Sequence, residues 1–385
     1  MSTVIPLTDV LTDRSRIVAD WKCPRARYWQ YEHAGKGVVG STTSLELWLG
    51  TAIHDALAAA ARCQLAGGTV EVEVIVTEAA RAVFNSLTAA TAGELDADAH
   101  TFACEQSALV EGLLRGFFRS QWPRLLEGKR IISIEEEMTF RLPNGITFMS
   151  KPDLILEDES DGEWEYKEYK STSSKKTAWV NSWTTAVQLH STVKAVGATK
   201  GREPSRVSVA GLYKGYESYG RQNSPFCYAY VRDGQPPFRA ESVRYDYAAG
   251  YRRQPVWERP GGVRAWVEGM PDDMLADQFP QAPPIFVREH LVAAFFRQTA
   301  EREAAIAQAA ARLRETSCEG TEREGLLDAV FPQHFEHCSP AWGRGCGYKR
   351  LCHGVVSFDD EGLPEGFMWR EPHHQPELDA QEGEA

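Results

Sequence analysis

The 385-residue sequence lacks several features that would place it in common protein classes. It has no run of about eighteen apolar residues, so no transmembrane helix is predicted and no membrane partner is expected. The opening residues MSTVIPLTDVLTDRSR show no basic end followed by an apolar core. We therefore expect no secretory signal and a cytoplasmic location. The G-x4-G-K-[ST] motif of ATP-driven motors is also missing, which argues against a fused helicase.

A positive net charge, which is usual in nucleic-acid-binding proteins, is missing as well. The formal net charge is −12, but residues 355–385 contain nine acidic residues and a single basic residue, Arg370. This segment carries −8 of the total, which leaves −4 for the other 354 residues. The body of the chain can therefore still form a local basic groove. The acidic segment contains proline and has no periodicity, so we predict that it is disordered or peripheral.

Cysteine is scarce, and no Cys-x2-Cys pair typical of a zinc knuckle occurs among the eight cysteines. Three of them, Cys338, Cys346 and Cys352, nevertheless lie close together in the sequence. In a cytoplasmic protein, such cysteines are more often metal ligands than disulfide partners. A four-thiolate site needs one more ligand, and Cys318, which follows the predicted long helix, could compete for that role. Cys63, Cys104 and Cys227 have apolar neighbours and are predicted to be core residues.

The order of predicted elements divides the chain into four regions. Apolar spacing predicts helices over residues 1–130, and alternating patterns predict the strands of a core over residues 131–235. Helices return over residues 236–354, and residues 355–385 form the acidic tail. Helices on both sides of a strand-rich core indicate a mixed α/β fold.

The core region carries the most informative polar residues. RIISIEEEMTFRL, ITFMSKPDLILED and WEYKEYKST are predicted to form three consecutive antiparallel strands, with a hairpin at Asn144-Gly145. Residues two apart on a strand share a face, so Glu168 and Lys170 project together. Asp153 on the neighbouring strand can join them.

Two carboxylates and a lysine at one place on a sheet suit the hydrolysis of a phosphodiester. Carboxylate oxygens bind hard divalent ions, and such an ion activates water. The lysine can orient the water or stabilise the developing charge. The alternative is a solvated cross-strand ion pair. Ile155 and Leu156 next to Asp153 indicate a partly buried sheet, in which charged groups need a specific reason.

Two more candidates lie on predicted helices. His54 follows Gly50 in GTAIHDAL, and Gln188 lies on the apolar helix AVQLHSTVKAV. An imidazole can join oxygen ligands around Mg²⁺ or Mn²⁺. A lone histidine on a helix can equally be an ordinary packing residue, so both interpretations stay open.

Taken in chain order, these candidates resemble the motifs of the RecB-like branch of the PD-(D/E)XK nucleases. The motifs are Gly50-x-x-x-His54, Pro152-Asp153, Glu168-Tyr169-Lys170 and Gln188. The segment WKCPRARYWQYE and the later Cys-x7-Cys-x5-Cys pattern resemble the iron–sulfur members of that branch. The resemblance implies a restriction-endonuclease-like α/β fold, with a mixed core sheet flanked by helices. It also implies that a four-cysteine cluster joins the N- and C-terminal helical segments.

The resemblance further implies the roles of individual residues. Mg²⁺ or Mn²⁺ would be bound by three side chains and one main-chain carbonyl, from His54, Asp153, Glu168 and Tyr169. The catalytic residues would be Asp153, Glu168, Lys170 and Gln188. A [4Fe–4S] cluster would be held by Cys23, Cys338, Cys346 and Cys352, with a four-cysteine zinc site as the rival.

Members of the family also carry an acidic residue on the strand before the aspartate. Glu135, Glu136 and Glu137 are the candidates. Glu136 is two residues from both Ile134 and Met138, so alternation along a strand predicts that it faces inward with them. A shift of the strand pairing by one residue would turn another glutamate inward instead.

The implied function is a metal-dependent DNA exonuclease of phage or mobile-element recombination, repair or end processing. It would work in the cytoplasm of a bacterial cell or phage-infected host, on single-stranded DNA or on double-stranded ends. Recombination or CRISPR-adaptation proteins would be its partners. The alternatives are a CRISPR-associated RecB-like nuclease that trims DNA ends, and a non-catalytic DNA-binding protein stapled by a zinc site.

Overall fold

A computed structural model describes the greater part of the chain. The described residues are 6–41, 45–89, 97–172, 176–183, 189–214, 224–231, 252–283, 285, 289–315, 318, 320–338, 345–372, 374 and 377. The strands are β1 (Leu11–Asp13), β2 (Val38–Gly40), β3 (Lys129–Ile134), β4 (Met138–Arg141), β5 (Thr147–Ser150), β6 (Leu154–Asp158), β7 (Trp164–Thr172), β8 (Arg206–Tyr213), β9 (Tyr228–Val231), β10 (Arg252–Pro255) and β11 (Phe367–Trp369).

The α-helices vary from single turns to long amphipathic rods. They are α1 (Arg14–Lys22), α2 (Pro24–Arg27), α3 (Leu45–Leu65), α4 (Val72–Ala89), α5 (Ala97–Ser120), α6 (Trp122–Leu126), α7 (Lys176–Trp183), α8 (Leu189–Lys200), α9 (Gly262–Glu268), α10 (Asp272–Ala276), α11 (Glu289–Arg314), α12 (Gly320–Val330), α13 (Phe335–Cys338) and α14 (Lys349–Cys352). Within the described ranges, no helix is both long and apolar enough to cross a membrane.

A four-stranded mixed sheet in the order β3-β6-β7-β8 lies at the centre. Neighbouring strands β3, β6 and β7 are antiparallel, whereas β8 runs parallel to β7. Side chains alternate between the two faces, so Leu154 and Leu156 pack in one core cluster while Ile155 packs in another. Residues of α3 and α5 belong to the first cluster, and residues of α8 belong to the second. The predicted mixed sheet flanked by helices is confirmed.

The predicted three-stranded meander differs from the structure in one important respect. Its first two strands each break, into β3 and β4 and into β5 and β6, and the β4–β5 hairpin joins β1 in a separate three-stranded sheet. The pairing of β3 with β6 shifts register between Ile131 and Ser133. Beyond it, Glu135 adopts a positive φ of 44°, and Pro152 cannot donate a backbone hydrogen bond. The seam between the two sheets therefore lies at residues 135–137 and 151–153.

Helix α11 connects the second sheet with the cysteine-containing region. Near its start, Phe296 packs edge to face on Phe140 of β4, with ring centroids 5.0 Å apart. Further along, Ile306 and Leu313 share an apolar cluster with Tyr28 and other residues near the N-terminal segment. The long helix thus packs against the N-terminal segment near Tyr28 as well as against the β4–β5 hairpin.

The acidic segment 355–385 is folded in the part that the structure describes. Strand β11 pairs antiparallel with β2, so Trp369 lies opposite Val38. The next residue, Arg370, is buried, and its guanidinium lies 5.1 Å from the centre of the Tyr31 ring and donates to Glu377 at 2.7 Å. Of the two predicted states, disordered or peripheral, disorder is therefore wrong for these residues. The boundaries of the four regions stay predictions.

A chain that ends at Leu363 should be less stable than the full chain by on the order of 2–4 kcal/mol. The truncation removes the β2–β11 pairing and takes Glu377 away from the buried guanidinium of Arg16. Urea unfolding followed by tryptophan fluorescence measures the difference. A chain that ends at Glu377 keeps all of these contacts and serves as the matched control. Equal unfolding midpoints for the two truncations would show that the tail contributes no stability.

Candidate active site

Three of the candidate metal ligands meet at the seam between the two sheets. The backbone N–H of Glu135 donates to the carbonyl oxygens of Pro152 at 3.1 Å and of Asp153 at 3.3 Å, which holds the two broken strands together. Helix α3 packs on β3 and β7, and it brings Nδ1 of His54 to 3.2 Å from Oδ1 of Asp153. One ligand atom from each of His54, Glu135 and Asp153 lies within 4.8 Å of the others.

Asp153 is held in its ionised form by its neighbours. Its Oδ2 accepts the backbone N–H of Tyr169 at 2.6 Å. Burial raises the pKa of Asp153, but His54, Lys170 and this N–H outweigh it, and the net pKa lies below the ordinary value. Burial likewise lowers the pKa of His54, but the Asp153 carboxylate reverses the effect and the net pKa is raised. The two side chains thus stabilise each other's charged form.

Glu168 and Lys170 lie beside this group on β7. Nζ of Lys170 donates to Oε1 of Glu168 at 2.6 Å, and the same oxygen accepts from Nη1 of Arg14 at 2.9 Å. Together with Asp153, they line a cavity of about 360 Å³. The wall of this cavity also includes Thr192, which bonds Ser150 at 2.7 Å. The sheet therefore brings together the aspartate, glutamate and lysine that the sequence singles out.

The structure gives less information on the two remaining candidates, Tyr169 and Gln188. The side chain of Tyr169 lies on the opposite face of the sheet, edge-on to Phe117 with ring centroids 5.7 Å apart. Burial and the Asp153 charge raise the pKa of Tyr169 well above its ordinary value, so its phenol stays neutral at physiological pH. The proposed role of its carbonyl stays a prediction. Gln188 lies outside the described residues.

The three consecutive glutamates point in three directions. Glu135 joins the metal-ligand group, Glu136 bonds Lys200 at 2.7 Å, and the carboxylate of Glu137 lies 3.2 Å from a ring nitrogen of His374. Alternation along the strand favours Glu136 as the inward residue, but the carboxylate that meets His54 and Asp153 belongs to Glu135. The register shift within β3 and the positive φ of Glu135 interrupt the alternation on which parity depends.

The donor set fits a hard divalent cation. Two carboxylates and one imidazole converge, and oxygen-rich sites of this kind suit Mg²⁺ or Mn²⁺. Glu168, on the opposite side of Asp153 from Glu135, can supply a further carboxylate oxygen if it exchanges one of its two cationic partners. The positive φ of Glu135 is a strained conformation of the kind that is often retained at functional sites.

Replacing Glu135 with glutamine should weaken Mn²⁺ binding about tenfold or more, because a charged ligand is lost while the side-chain size is kept. Titration calorimetry without DNA measures this affinity. Glu136→Gln is the matched control, since the neighbouring residue bonds Lys200 and Ser133 instead. Equal affinities for Glu135→Gln and the unaltered protein would remove Glu135 from the site.

Four cysteines lie near one another, and none of them lines the cavity of Glu168 and Lys170. Cys23 and Cys338 are buried, while Cys346 and Cys352 are half-buried. Burial raises the pKa of Cys346, and the charges of Cys23 and Cys338 contribute to the rise. Burial also raises the pKa of Cys352, to about 11, with contributions from Cys346 and Cys23. Thiols close enough to raise the pKa values of Cys346 and Cys352 form a donor set that fits a thiolate-bound metal.

Several contacts join the N-terminal segment to the region of the three later cysteines. Arg25 donates from its backbone N–H to the Pro332 carbonyl at 3.3 Å and from Nε to the Phe331 carbonyl at 2.7 Å. A ring nitrogen of His334 lies 3.0 Å from the carbonyl oxygen of Lys22, and the N–H of Cys346 donates to Cys338 at 3.4 Å. We call this junction, residues 22–25 with residues 331–352 as far as described, the clasp.

Cys318, the other candidate for the fourth thiol, has an apolar environment. It is buried in the apolar cluster of Tyr28, Ile306 and Phe331 and acts there as a small core residue. The side chains of Arg25, Arg27 and Tyr28 near Cys23 are buried too, and Arg27 donates to Glu303 at 3.0 Å. These three side chains therefore serve packing and ion pairing, whereas Lys22, directly before Cys23, is exposed.

A comparison with protein-family models gives one match, over residues 15–353, to the family described as the PD-(D/E)XK nuclease superfamily. The matched span includes the ligand group at the seam, the Glu168–Lys170 pair and the four cysteines of the clasp. No curated protein matches the chain.

Proposed function

The chain belongs to the PD-(D/E)XK nuclease superfamily, and from this premise we propose that it is a DNA exonuclease of the RecB-like type, with its active site at the seam. Membership implies metal-dependent nuclease chemistry on DNA. The observation that carries the proposal is the convergence of His54, Glu135 and Asp153 beside the Glu168–Lys170 pair.

His54, Glu135, Asp153 and Glu168 would hold a divalent cation, either Mg²⁺ or Mn²⁺. When bound, such an ion activates water and offsets the negative charge that develops on the phosphate. Lys170 would orient the attacking water or stabilise that charge through its ammonium group, which stands in the cavity 2.6 Å from Glu168. The N–H of Tyr169 and the imidazole of His54 keep the Asp153 carboxylate fixed and ionised.

We also propose that Cys23, Cys338, Cys346 and Cys352 hold a [4Fe–4S] cluster with a structural role. The contributions of Cys23 and Cys338 to the raised pKa of Cys346, and of Cys346 and Cys23 to that of Cys352, place these thiols close enough to support a shared metal group, and the resemblance to iron–sulfur members favours iron over zinc. The cluster would fix the N-terminal segment, which includes α1 and Arg14, against the C-terminal region. It lies outside the cavity that contains Lys170, so we assign it no part in the chemical step.

Digestion of end-labelled DNA, linear and circular, single- and double-stranded, with Mg²⁺ and with Mn²⁺, tests the activity and its polarity together. An exonuclease degrades the linear forms from one end and leaves circles intact. Cleavage of circles would replace the exonuclease assignment with an endonuclease. Absence of degradation of every substrate with either metal would favour the non-catalytic DNA-binding alternative.

The proposed setting is recombination, repair or end processing of phage or mobile-element DNA in the cytoplasm. CRISPR-associated end trimming uses the same chemistry, so the neighbouring genes distinguish between the two settings. Neighbouring recombination genes would support the first setting, and CRISPR adaptation genes would support the second.

A further inference from the structure

Arg14 faces Glu168 across the active-site cavity, and no motif of the sequence points to it. It is the first residue of α1 and directly follows β1, which pairs parallel with β5 so that Asp13 lies opposite Met149. This pairing carries the start of α1 to the mouth of the cavity. There, Nη1 of Arg14 donates to Oε1 of Glu168 at 2.9 Å.

The position of Arg14 is fixed by the residues around it. Asp13 caps α1 by accepting the N–H of Arg16 at 2.8 Å. The other oxygen of Asp13 lies 3.2 Å from a ring nitrogen of His374, in the folded part of the acidic tail. Farther along α1, Asp20 accepts two hydrogen bonds from Arg302 of α11, at 2.9 and 2.7 Å. Partners at both ends hold the helix that presents Arg14.

The charged side chains in the cavity are arranged so that the Arg14 guanidinium can exchange one anionic partner for another. A single carboxylate oxygen of Glu168 receives both Nη1 of Arg14 and Nζ of Lys170. The Glu168 side chain is only 4% exposed, whereas that of Arg14 is 27% exposed and can reach an incoming group. A divalent cation that engages Glu168 competes with Arg14 for this oxygen. The guanidinium then needs another anion, and its planar array of donors matches a phosphate.

We propose that Arg14 binds substrate: it exchanges Glu168 for a non-bridging oxygen of a DNA phosphate that enters the cavity. The inference rests on the proposed function, since it takes DNA as the substrate of this site. Arg14 would thereby hold one particular phosphate of the strand relative to Lys170 and the metal ligands. In the absence of substrate, Glu168 keeps the guanidinium in position.

The test uses short single-stranded oligonucleotides in which one neutral methylphosphonate linkage is moved along the chain. Affinity is measured by fluorescence anisotropy with Ca²⁺ in place of Mg²⁺, and the strand is checked for integrity afterwards. In the unaltered protein, a neutral methylphosphonate at one position near the cleaved bond should weaken DNA binding about tenfold or more. Arg14→Gln should lose that sensitivity, because the neutral linkage removes a contact that the variant already lacks.

Two variants keep the test decisive. Arg14→Lys retains the positive charge, so the same linkage should remain sensitive, with a smaller loss of affinity. If Arg14 were only structural, replacing it would not change which linkage is sensitive. Arg130→Gln removes another arginine paired with a glutamate, Glu157, outside the cavity, and should show the full sensitivity of the unaltered protein. An unchanged linkage profile in Arg14→Gln would overturn the inference while leaving the nuclease assignment intact. A protein that neither binds nor degrades DNA would instead overturn the proposed function.

Discussion

Replacing Lys170 with alanine is expected to reduce Mg²⁺-dependent DNA degradation on the order of a thousandfold. The variant loses the ammonium group that lies 2.6 Å from Glu168 in the cavity, and a water molecule in its place carries no positive charge. Asp153→Ala should have an effect of similar size, because it removes a metal ligand and the partner of both His54 and the Tyr169 N–H. Initial rates of nucleotide release from end-labelled DNA measure both losses.

Lys167→Ala is the matched control for this experiment. It lies on the same strand as Lys170, but its ammonium bonds Gln281 at 3.1 Å, away from the cavity. Its rate should stay within a few-fold of the unaltered protein. Undiminished degradation by Lys170→Ala would show that any nuclease activity resides elsewhere in the preparation or in the chain.

Cys23→Ser is expected to abolish iron and sulfide binding and to destabilise the protein by several kcal/mol. The cysteine lies 315 positions before Cys338, and closing a loop of that length contributes roughly 5 kcal/mol by chain-entropy estimates. Visible absorption, metal analysis of protein purified without oxygen and thermal unfolding measure the effect. Cys346→Ser should reproduce it, since all four ligands serve one group.

Cys63→Ser distinguishes a specific ligand from a general sensitivity to thiol loss. Cys63 lies on α3 and donates to the carbonyl of Thr69 at 3.1 Å, a bond that a serine can retain. This variant should keep iron, absorption and stability. Zinc in place of iron and sulfide in the unaltered protein would exclude the [4Fe–4S] assignment while leaving the clasp as a metal site.

The residues found from sequence are those whose positions depend on local rules. Glu168 and Lys170 share a face because they are two apart on one strand, and the short turn after β6 brings Asp153 beside them. The alternation of side chains along a strand does not predict the position of Glu135. A register shift and one positive φ redirect it, and neither leaves a mark in the sequence of three consecutive glutamates.

Contacts between residues far apart in the chain cannot be predicted from the sequence for a different reason. Arg14 reaches Glu168 across 154 positions, and His374 reaches Asp13 across 361. No periodicity or spacing connects such residues, since they meet only after the two sheets and α11 have packed. The grouping of Cys23 with the later cysteines rests on the family resemblance, because spacing alone leaves Cys318 as a competing ligand.

The clasp has a consequence for the order in which the enzyme is completed during synthesis. At about 5–20 residues per second, roughly 10–40 s pass between synthesis of the β7 carboxylate and synthesis of Cys352. Until residue 302 of α11 has been made, α1 lacks its contact with Arg302, and throughout the interval it lacks its contact with His374 of the folded tail. The newly made chain thus carries its metal ligands before the arginine opposite them is held in place. On the proposed role of Arg14, its contact with substrate can form in the final geometry only after Arg302 and His374 have also been synthesised.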